Sequence, residues 1–290
     1  MLAPDTLESL DSLIWFGSGE QAAHHCHCSQ SAISRRATQA AARLGIKLKK
    51  CGNAWDTVPH SQLLRLERHV HQLYRFLKAR RLRLDADHWA GQAILLDLPE
   101  AWISGPPGRI GIERPLHLLR ERIIDAWISC TQADLPDQED PHVIAFEIAT
   151  MPLHIAGGSS HPLAGETGLS TNDLITYPSL GLHLECYPRF GQLLAQKGLW
   201  KDTISMDPYQ FHDWEGRVTQ SLATIPVNSL STDLSQGLSV LDWPTGINDC
   251  LALIVRRDLC EQAEIQHLLD QLRRRAHVMA RHNGELTVRL

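Results

Sequence analysis

Nowhere among the 290 residues does an apolar run approach the ~20 that a membrane-spanning helix needs. The first residues also lack the basic-then-apolar pattern of a secretory signal. A soluble, cytoplasmic chain with no membrane partner is expected. There is no internal repeat and no low-complexity tract. Catalytic loop signatures are missing too. Gly157-Gly158-Ser159-Ser160 has His161 where a G-x-S-x-G nucleophile elbow needs its closing glycine. No Gly-Lys-Ser/Thr follows the glycines, as a Walker loop requires, so the segment reads as a turn at a strand end.

The seven cysteines, at 26, 28, 51, 130, 186, 250 and 260, form no disulfide pattern. In a chain large enough to fold without covalent staples, an odd, scattered set reads as reduced thiols. His24-His25-Cys26-His27-Cys28 offers zinc and copper ligand types. Five consecutive residues at a helix end point in different directions, however, and no second pair at C-x-x-C or H-x-x-x-H spacing follows. Cys26 and Cys28 read instead as small apolar core residues, with the histidines facing outward. No metal and no cofactor are expected. Cys130, just after an expected strand, would act as a redox sensor only beside a cation that lowers its pKa; the inert, buried reading is preferred.

The length suits two domains, a small one and an α/β domain of ordinary size. A formal net charge of -5 hides an asymmetry. Residues 1–81 hold twelve Lys/Arg against six Asp/Glu, a balance of +6, and residues 82–290 hold sixteen against twenty-seven, a balance of -11. Only the N-terminal part suits a polyanion.

That part reads as helices. Leu7, Leu10, Leu13, Ile14 and Phe16 recur at helical spacing after a cap at Asp5 or Thr6, and Gly17-Ser18-Gly19 stops the run. A short helix from Glu20 and a turn at Cys26 to Cys28 follow. Ser29 then caps an Ala-rich helix, Gln30 to Leu44, that Gly45 ends. The result is helix, short turn, helix. Lys47, Lys49 and Lys50 flank the turn-like Cys51-Gly52-Asn53-Ala54, which suggests a small wing. From Pro59 to about Ala79 a longer helix carries Leu63, Leu66, Val70, Leu73 and Leu77 in steps of three and four, a seam that fits a paired coiled coil. The basic run Lys78 to Arg83 solvates its end.

Beyond Leu82, strands are expected at Arg109 to Ile112, Ala126 to Ser129, Val143 to Ile148, Leu180 to Leu184, Leu238 to Leu241 and Leu251 to Val255. Helices are expected at Leu116 to Ile124, Arg189 to Lys197 and Cys260 to Ala276, with a loop at Gly105-Pro106-Pro107-Gly108. Such alternation argues for α/β sheets.

A helix capped at Ser29 projects Gln30, Ser31, Ser34 and Arg35 from its first turns, where helix-turn-helix docking meets base edges. Gln pairs two-pronged with adenine and Arg with guanine. Ser hydroxyls and helix N-terminal N–H groups grip phosphates. Ser29, Arg36, Lys47, Lys49 and Lys50 are the expected phosphate contacts.

These residues resemble the signature of the LysR-type transcriptional regulators: Ala22-Ala23, Ser29-Gln30-Ser31-Ala32-Ile33-Ser34-Arg35 and Leu44-Gly45 all match. Landmarks of the family's effector domain recur at Asp125 to Ile128, His161-Pro162-Leu163-Ala164, Asp173-Leu174, Tyr177-Pro178 and Ile225-Pro226. The chain departs from the family at Leu48-Lys49-Lys50-Cys51, at Asp56-Thr57-Val58-Pro59-His60 and at Ala40-Ala41, which marks a divergent member with an altered wing.

The resemblance implies a winged helix-turn-helix over residues 1–58, a dimerising linker helix over 59–81, and a two-lobed, periplasmic-binding-protein-like α/β effector domain over 82–290. The function it implies is sequence-specific binding of double-stranded DNA by a homodimer or homotetramer, without catalysis. A small-molecule effector in a cleft between the lobes would alter DNA binding or bending and the access of RNA polymerase. The candidate pocket residues are Asp85 and Asp87, just after a first effector strand, with Ser129, Thr131, Ser205 and Thr224 near strand ends. Two other readings remain. One is an α/β ligand-binding protein or enzyme whose N-terminal helices serve only assembly; the other is a metal or redox sensor acting through the His/Cys cluster.

Overall fold

The computed structural model describes residues 2–289 except 53, 60, 97, 184 and 233–236. Asn53 and His60 of the wing region and Leu184 of the expected strand lie outside the described residues. In chain order the helices are α1 Pro4–Phe16, α2 Gly19–His25, α3 Gln30–Leu44, α4 Gln62–Leu77, α5 His88–Ile94 and α6 Glu113–Arg120. They continue as α7 Thr171–Ile175, α8 Pro188–Gln196, α9 Glu215–Thr219, α10 Ser229–Thr232 and α11 Ala263–Ala280. The strands are β1 Lys47–Cys51, β2 Ala54–Val58, β3 Leu82–Ala86, β4 Trp102–Ser104, β5 Ala126–Ser129 and β6 Val143–Gly158. After them come β7 Leu180–Leu182, β8 Asp202–Ile204, β9 Ile225–Asn228, β10 Leu238–Val240, β11 Asn248–Arg256 and β12 Thr287–Val288. Among the described residues no helix is long and apolar enough to cross a membrane.

The chain forms two compact units: residues 1–85 with 98–106 and 115–126, and residues 86–97 with 107–114 and 127–290. In the first unit, Pro4 stands in the first turn of α1 and Ala3 takes the cap position, so Asp5 and Thr6 are helical residues and not caps. Proline's fixed φ is already helical and its missing N–H is no loss there. Ser18 Oγ accepts from Gln21 N–H to start α2, and Ser29 Oγ accepts from Ala32 N–H at 3.2 Å to start α3. Gly17 (φ 69°) and Gly45 (φ 64°) end α1 and α3 in the left-handed conformation, at little cost for glycine. Leu7, Leu10 and Ile14 of α1 are buried with Ala22, Ile33, Ala37 and Ala40, the alanines letting the helix backbones approach closely. The wing expected after α3 is the antiparallel pair β1–β2, with Lys47 opposite Val58.

The linker helix starts later than expected. Ser61 Oγ accepts from Leu64 N–H at 3.3 Å, and Pro59, joined to Val58 by a cis peptide, lies outside the helix. Its inward face buries Leu64, Arg68, Gln72 and Phe76, while all five seam residues are 43–77% exposed. That inward face is polar at its centre. Arg68 donates to Asp11 (2.9 Å) and Glu121 (2.8 Å). Gln72 Nε2 (2.9 Å), Arg75 Nε (3.1 Å) and Nη2 (2.7 Å), and Arg83 N–H (2.8 Å) all donate to Asp125. β3 and β4 pair in parallel at the end of this unit.

The second unit is built along β6. β11 lies antiparallel to it from Arg256↔Val143 to Asn248↔Pro152, with a register shift between Leu251 and Ala252. β9 continues the pairing at Asn228↔Leu153, and β10 pairs at Leu238↔Gly158. A parallel pair, β7–β8, forms a two-stranded sheet of its own, and a bridge joins Ser179 to Thr224 beside it. The strands expected at Ala126, Val143, Leu180, Leu238 and Leu251 are found, as are the three helices with shifted ends. The strand expected at Arg109 to Ile112 is not. Only an isolated bridge joins Arg109 to Asp87, because Gly108 (φ 77°) and Gly111 (φ 85°) break the extended backbone on both sides. Gly157-Gly158 ends β6 and Ser159-Ser160 turns, as expected.

Candidate nucleic-acid interface and ligand cavity

The capped start of α3 exposes Ser29, Gln30, Ser31, Ser34 and Arg35 together. Ser29 and Ser31 hydroxyls lie 3.0 Å apart. Gln30 folds over Gly19, where an added Cβ would stand 3.2 Å from its Cγ and Nε2, so the glycine makes room for it. Arg36 is half-buried, with Nη2 3.7 Å from Asp5 Oδ2, a weak surface pair that leaves it less free than Arg35.

Along β1, Lys47 and Lys49 share one face of the strand, and Lys50 takes the other with its Nζ 5.9 Å from the Trp55 ring centre. A groove of ≈ 560 Å³ brings Gln30 and Ser34 beside Thr38, Lys50 and Trp55. Thr38 follows Ser34 by one helical turn, a spacing that the sequence offered and that the choice of site residues missed.

The His/Cys cluster differs from expectation. His24 and His27 are exposed, but His25 is half-buried against Trp15 and Phe16, ring centres 5.4 and 4.9 Å away. Burial, then the charges of Arg83 and Arg81, lowers its pKa to about 4, so the ring is neutral at pH 7. Cys26 and Cys28 are half-buried and not fully in the core, because they sit at the rim where α2 ends; the Cys26 thiol lies 3.3 Å from Ser12 Oγ. Among the described residues, no three His, Cys, Asp or Glu gather as a metal would require.

The second unit contains a cavity of ≈ 40 Å³, room for about three waters. Trp89, Tyr187, Phe190, Trp200 and Trp214 line it together with Thr131, Asn228 and Asp249. Of the six expected ligand residues only Thr131 is among the lining. Asp85 lies within β3, buried beside Gly105 in the first unit. Asp87 is one hydrogen bond behind the lining, accepting from the Tyr187 hydroxyl and from Trp89 N–H (3.1 Å). Ser129 Oγ accepts from Thr131 N–H at 3.4 Å. Thr224 is buried, its hydroxyl donating to Pro178 O at 3.4 Å, and Ser205 is exposed beyond β8.

Asp249 went unnoticed in the sequence. Its carboxylate accepts from Gln132 N–H (3.3 Å) and Asn228 Nδ2 (3.2 Å). Burial, opposed by those two bonds and reinforced by Asp87 and Asp134, raises its pKa to about 7. Cys130 also lines the cavity; burial and the two aspartates push its thiol well up, which makes it a poor thiolate.

Neither a protein-family model nor a curated protein sequence matches the chain. Solved structures do. A full-length OxyR variant from Pseudomonas aeruginosa superposes with a TM-score of 0.61 at 15% identity, over 94% of this chain and 95% of that one. CbnR, a LysR family transcriptional regulator, gives 0.55 at 15% identity, over 94% and 99%. CbnR in complex with its target DNA gives 0.53 at 14% identity over the same shares. The chain therefore has the fold of the full-length LysR-type regulators, a winged helix-turn-helix and linker helix followed by a two-lobed α/β domain.

Proposed function

We propose that this chain is a LysR-type, sequence-specific DNA-binding regulator of transcription. The observation that carries the reading is the capped start of α3, where Gln30, Ser31, Ser34 and Arg35 stand exposed together beside a basic wing. Residues 1–58 form the DNA-binding head, 59–81 the linker helix and 82–290 the effector domain. Gln30 and Arg35 read base edges in the major groove, while Ser29, Ser31, Ser34, Arg36, Lys47, Lys49 and Lys50 grip the backbone. Likeness to a structure of CbnR bound to its target DNA supports this assignment.

The exposed seam Leu63, Leu66, Val70, Leu73 and Leu77 pairs two copies, so that two heads meet two half-sites. A ligand in the effector domain shifts DNA binding or bending through its unequal affinity for two arrangements of the dimer. RNA polymerase then senses the altered complex.

The test is selection from a random duplex library, repeated across a salt series. An interrupted palindrome with half-sites about one helical turn apart, retained less as salt rises, is the expected result. Absence of enrichment and of salt dependence would leave the N-terminal helices as assembly elements of a ligand-binding protein.

A further inference from the structure

The cavity's lining has a chemistry of its own. Its rings come from Trp89, Tyr187, Phe190, Trp200 and Trp214, and among the described residues no Lys, Arg or His lines it. Asp249, the carboxylate among the described lining residues, is 4% exposed and bonded to the neutral donors Gln132 and Asn228; no cation pairs with it among the described residues. Asp87 adds a second buried carboxylate behind the Tyr187 hydroxyl. Trp200 brings a buried Nε1–H that finds no acceptor among the described residues. A buried carboxyl group with no cationic partner and a buried donor with no acceptor are costly, and a bound group of the right kind relieves such costs.

From this we infer that the effector is a small organic cation, an amine or quaternary ammonium, held by the aromatic faces and by the Asp249 carboxylate. Ring faces carry negative quadrupole potential and attract ammonium groups within about 6 Å of their centres. An anionic ligand would meet Asp249 with no cation to offset it. The space, about three water-sized positions, suits a methylated ammonium head.

This inference rests on the reading of the second unit as an effector domain, and its test separates the two. Purified full-length protein is titrated with tetramethylammonium chloride and choline chloride, and in parallel with sodium acetate and sodium benzoate at matched ionic strength. Tryptophan fluorescence and calorimetry are the readouts, since three of the lining residues are tryptophans.

Saturable binding of either cation, weakened at least tenfold by Asp249→Asn and by Trp89→Leu, is the expected result. Trp89 is only half-buried, so its variant serves where Asp249→Asn perturbs folding as judged by circular dichroism. Binding of the carboxylates alone, binding of none of the four, or cation binding untouched by both variants overturns the inference. The duplex selection on the same preparation is a separate readout: retained operator binding without cation binding refutes the ligand class and not the regulator, and the reverse outcome refutes the regulator and not the ligand class.

Discussion

Asp125 is a heavily committed acceptor in the first unit, and replacing it with alanine gives a loss that can be worked from its bonds. Its side chain is fully buried and takes four hydrogen bonds, two of them from the guanidinium of Arg75, which is itself 12% exposed. Asp125→Ala strands the Arg75 charge and leaves the backbone N–H of Arg83 without this acceptor. Removing one partner of a buried ion pair costs about 3–5 kcal/mol, because the remaining charge keeps its desolvation penalty. The double variant Asp125→Asn with Arg75→Met removes both charges at nearly constant volume. It is expected to recover at least half of that loss, since the penalty belongs to the unpaired charge.

Urea unfolding followed by circular dichroism measures both. With a slope of about 3 kcal/mol per molar, the alanine variant's midpoint falls by roughly 1–1.7 M. A loss below about 1 kcal/mol for Asp125→Ala, or a double variant that recovers less than half of that loss, would refute the argument that the charge on Arg75 depends on this carboxylate.

Arg35→Ala is expected to relax sequence preference by about 1–3 kcal/mol, and Lys50→Ala to weaken all duplexes alike and flatten the salt slope; competition binding against random DNA separates the two. Val70→Lys or Leu73→Lys, placed on the exposed seam, should convert a dimer to a monomer in sedimentation without lowering the helix content, because neither side chain is buried within its own chain. His25, neutral at pH 7 with a folded pKa of about 4, binds fewer protons than the unfolded chain between that value and its ordinary 6.5. It therefore destabilises the fold as pH falls through that window, and His25→Phe should flatten the acid side of a pH–stability curve measured in urea.

Asp249 has the opposite sign. Its folded pKa near 7 lies above the ordinary 3.8, so the folded state holds a proton that the unfolded chain has lost, and stability declines as pH rises from about 4 to 7, by up to about 4 kcal/mol. The groups around it, Asp87, Asp134, Cys130 and Cys250, are acidic or neutral, so none reverses the trend. Asp249→Asn should gain stability relative to the parent at pH 8 and little at pH 4; an equal difference at both would rule the carboxylate out as its source.

What the sequence made legible was local. Ser29 and Gly45 bound α3 through caps within one turn of the helix ends, and the seam from Leu63 to Leu77 follows from 3.6-residue periodicity alone. The misreadings are local as well. Arg109 to Ile112 has the composition of a strand, yet two glycines with positive φ decide its backbone. Pro4 starts α1 ahead of the expected cap at Asp5 or Thr6, and Ser61 caps α4 after the start expected at Pro59.

The cavity was hidden for another reason. Asn228 stands opposite Leu153 and Asp249 opposite Met151, so the end of β9 and the start of β11 meet along β6 and bring the two side chains within 3.2 Å. No window of sequence contains both residues, and nothing local says which strands pair. Composition held a faint hint. Aromatic residues are only 6% of the chain, and five of them line one small space. Asp125 shows the same limit: its motif marks a helix-to-strand step, while its partners Gln72 and Arg75 lie about fifty residues away on the buried face of α4. The exposed face of that helix was readable because an apolar stripe obeys a period. The buried polar face was not, because its meaning lies in a distant carboxylate.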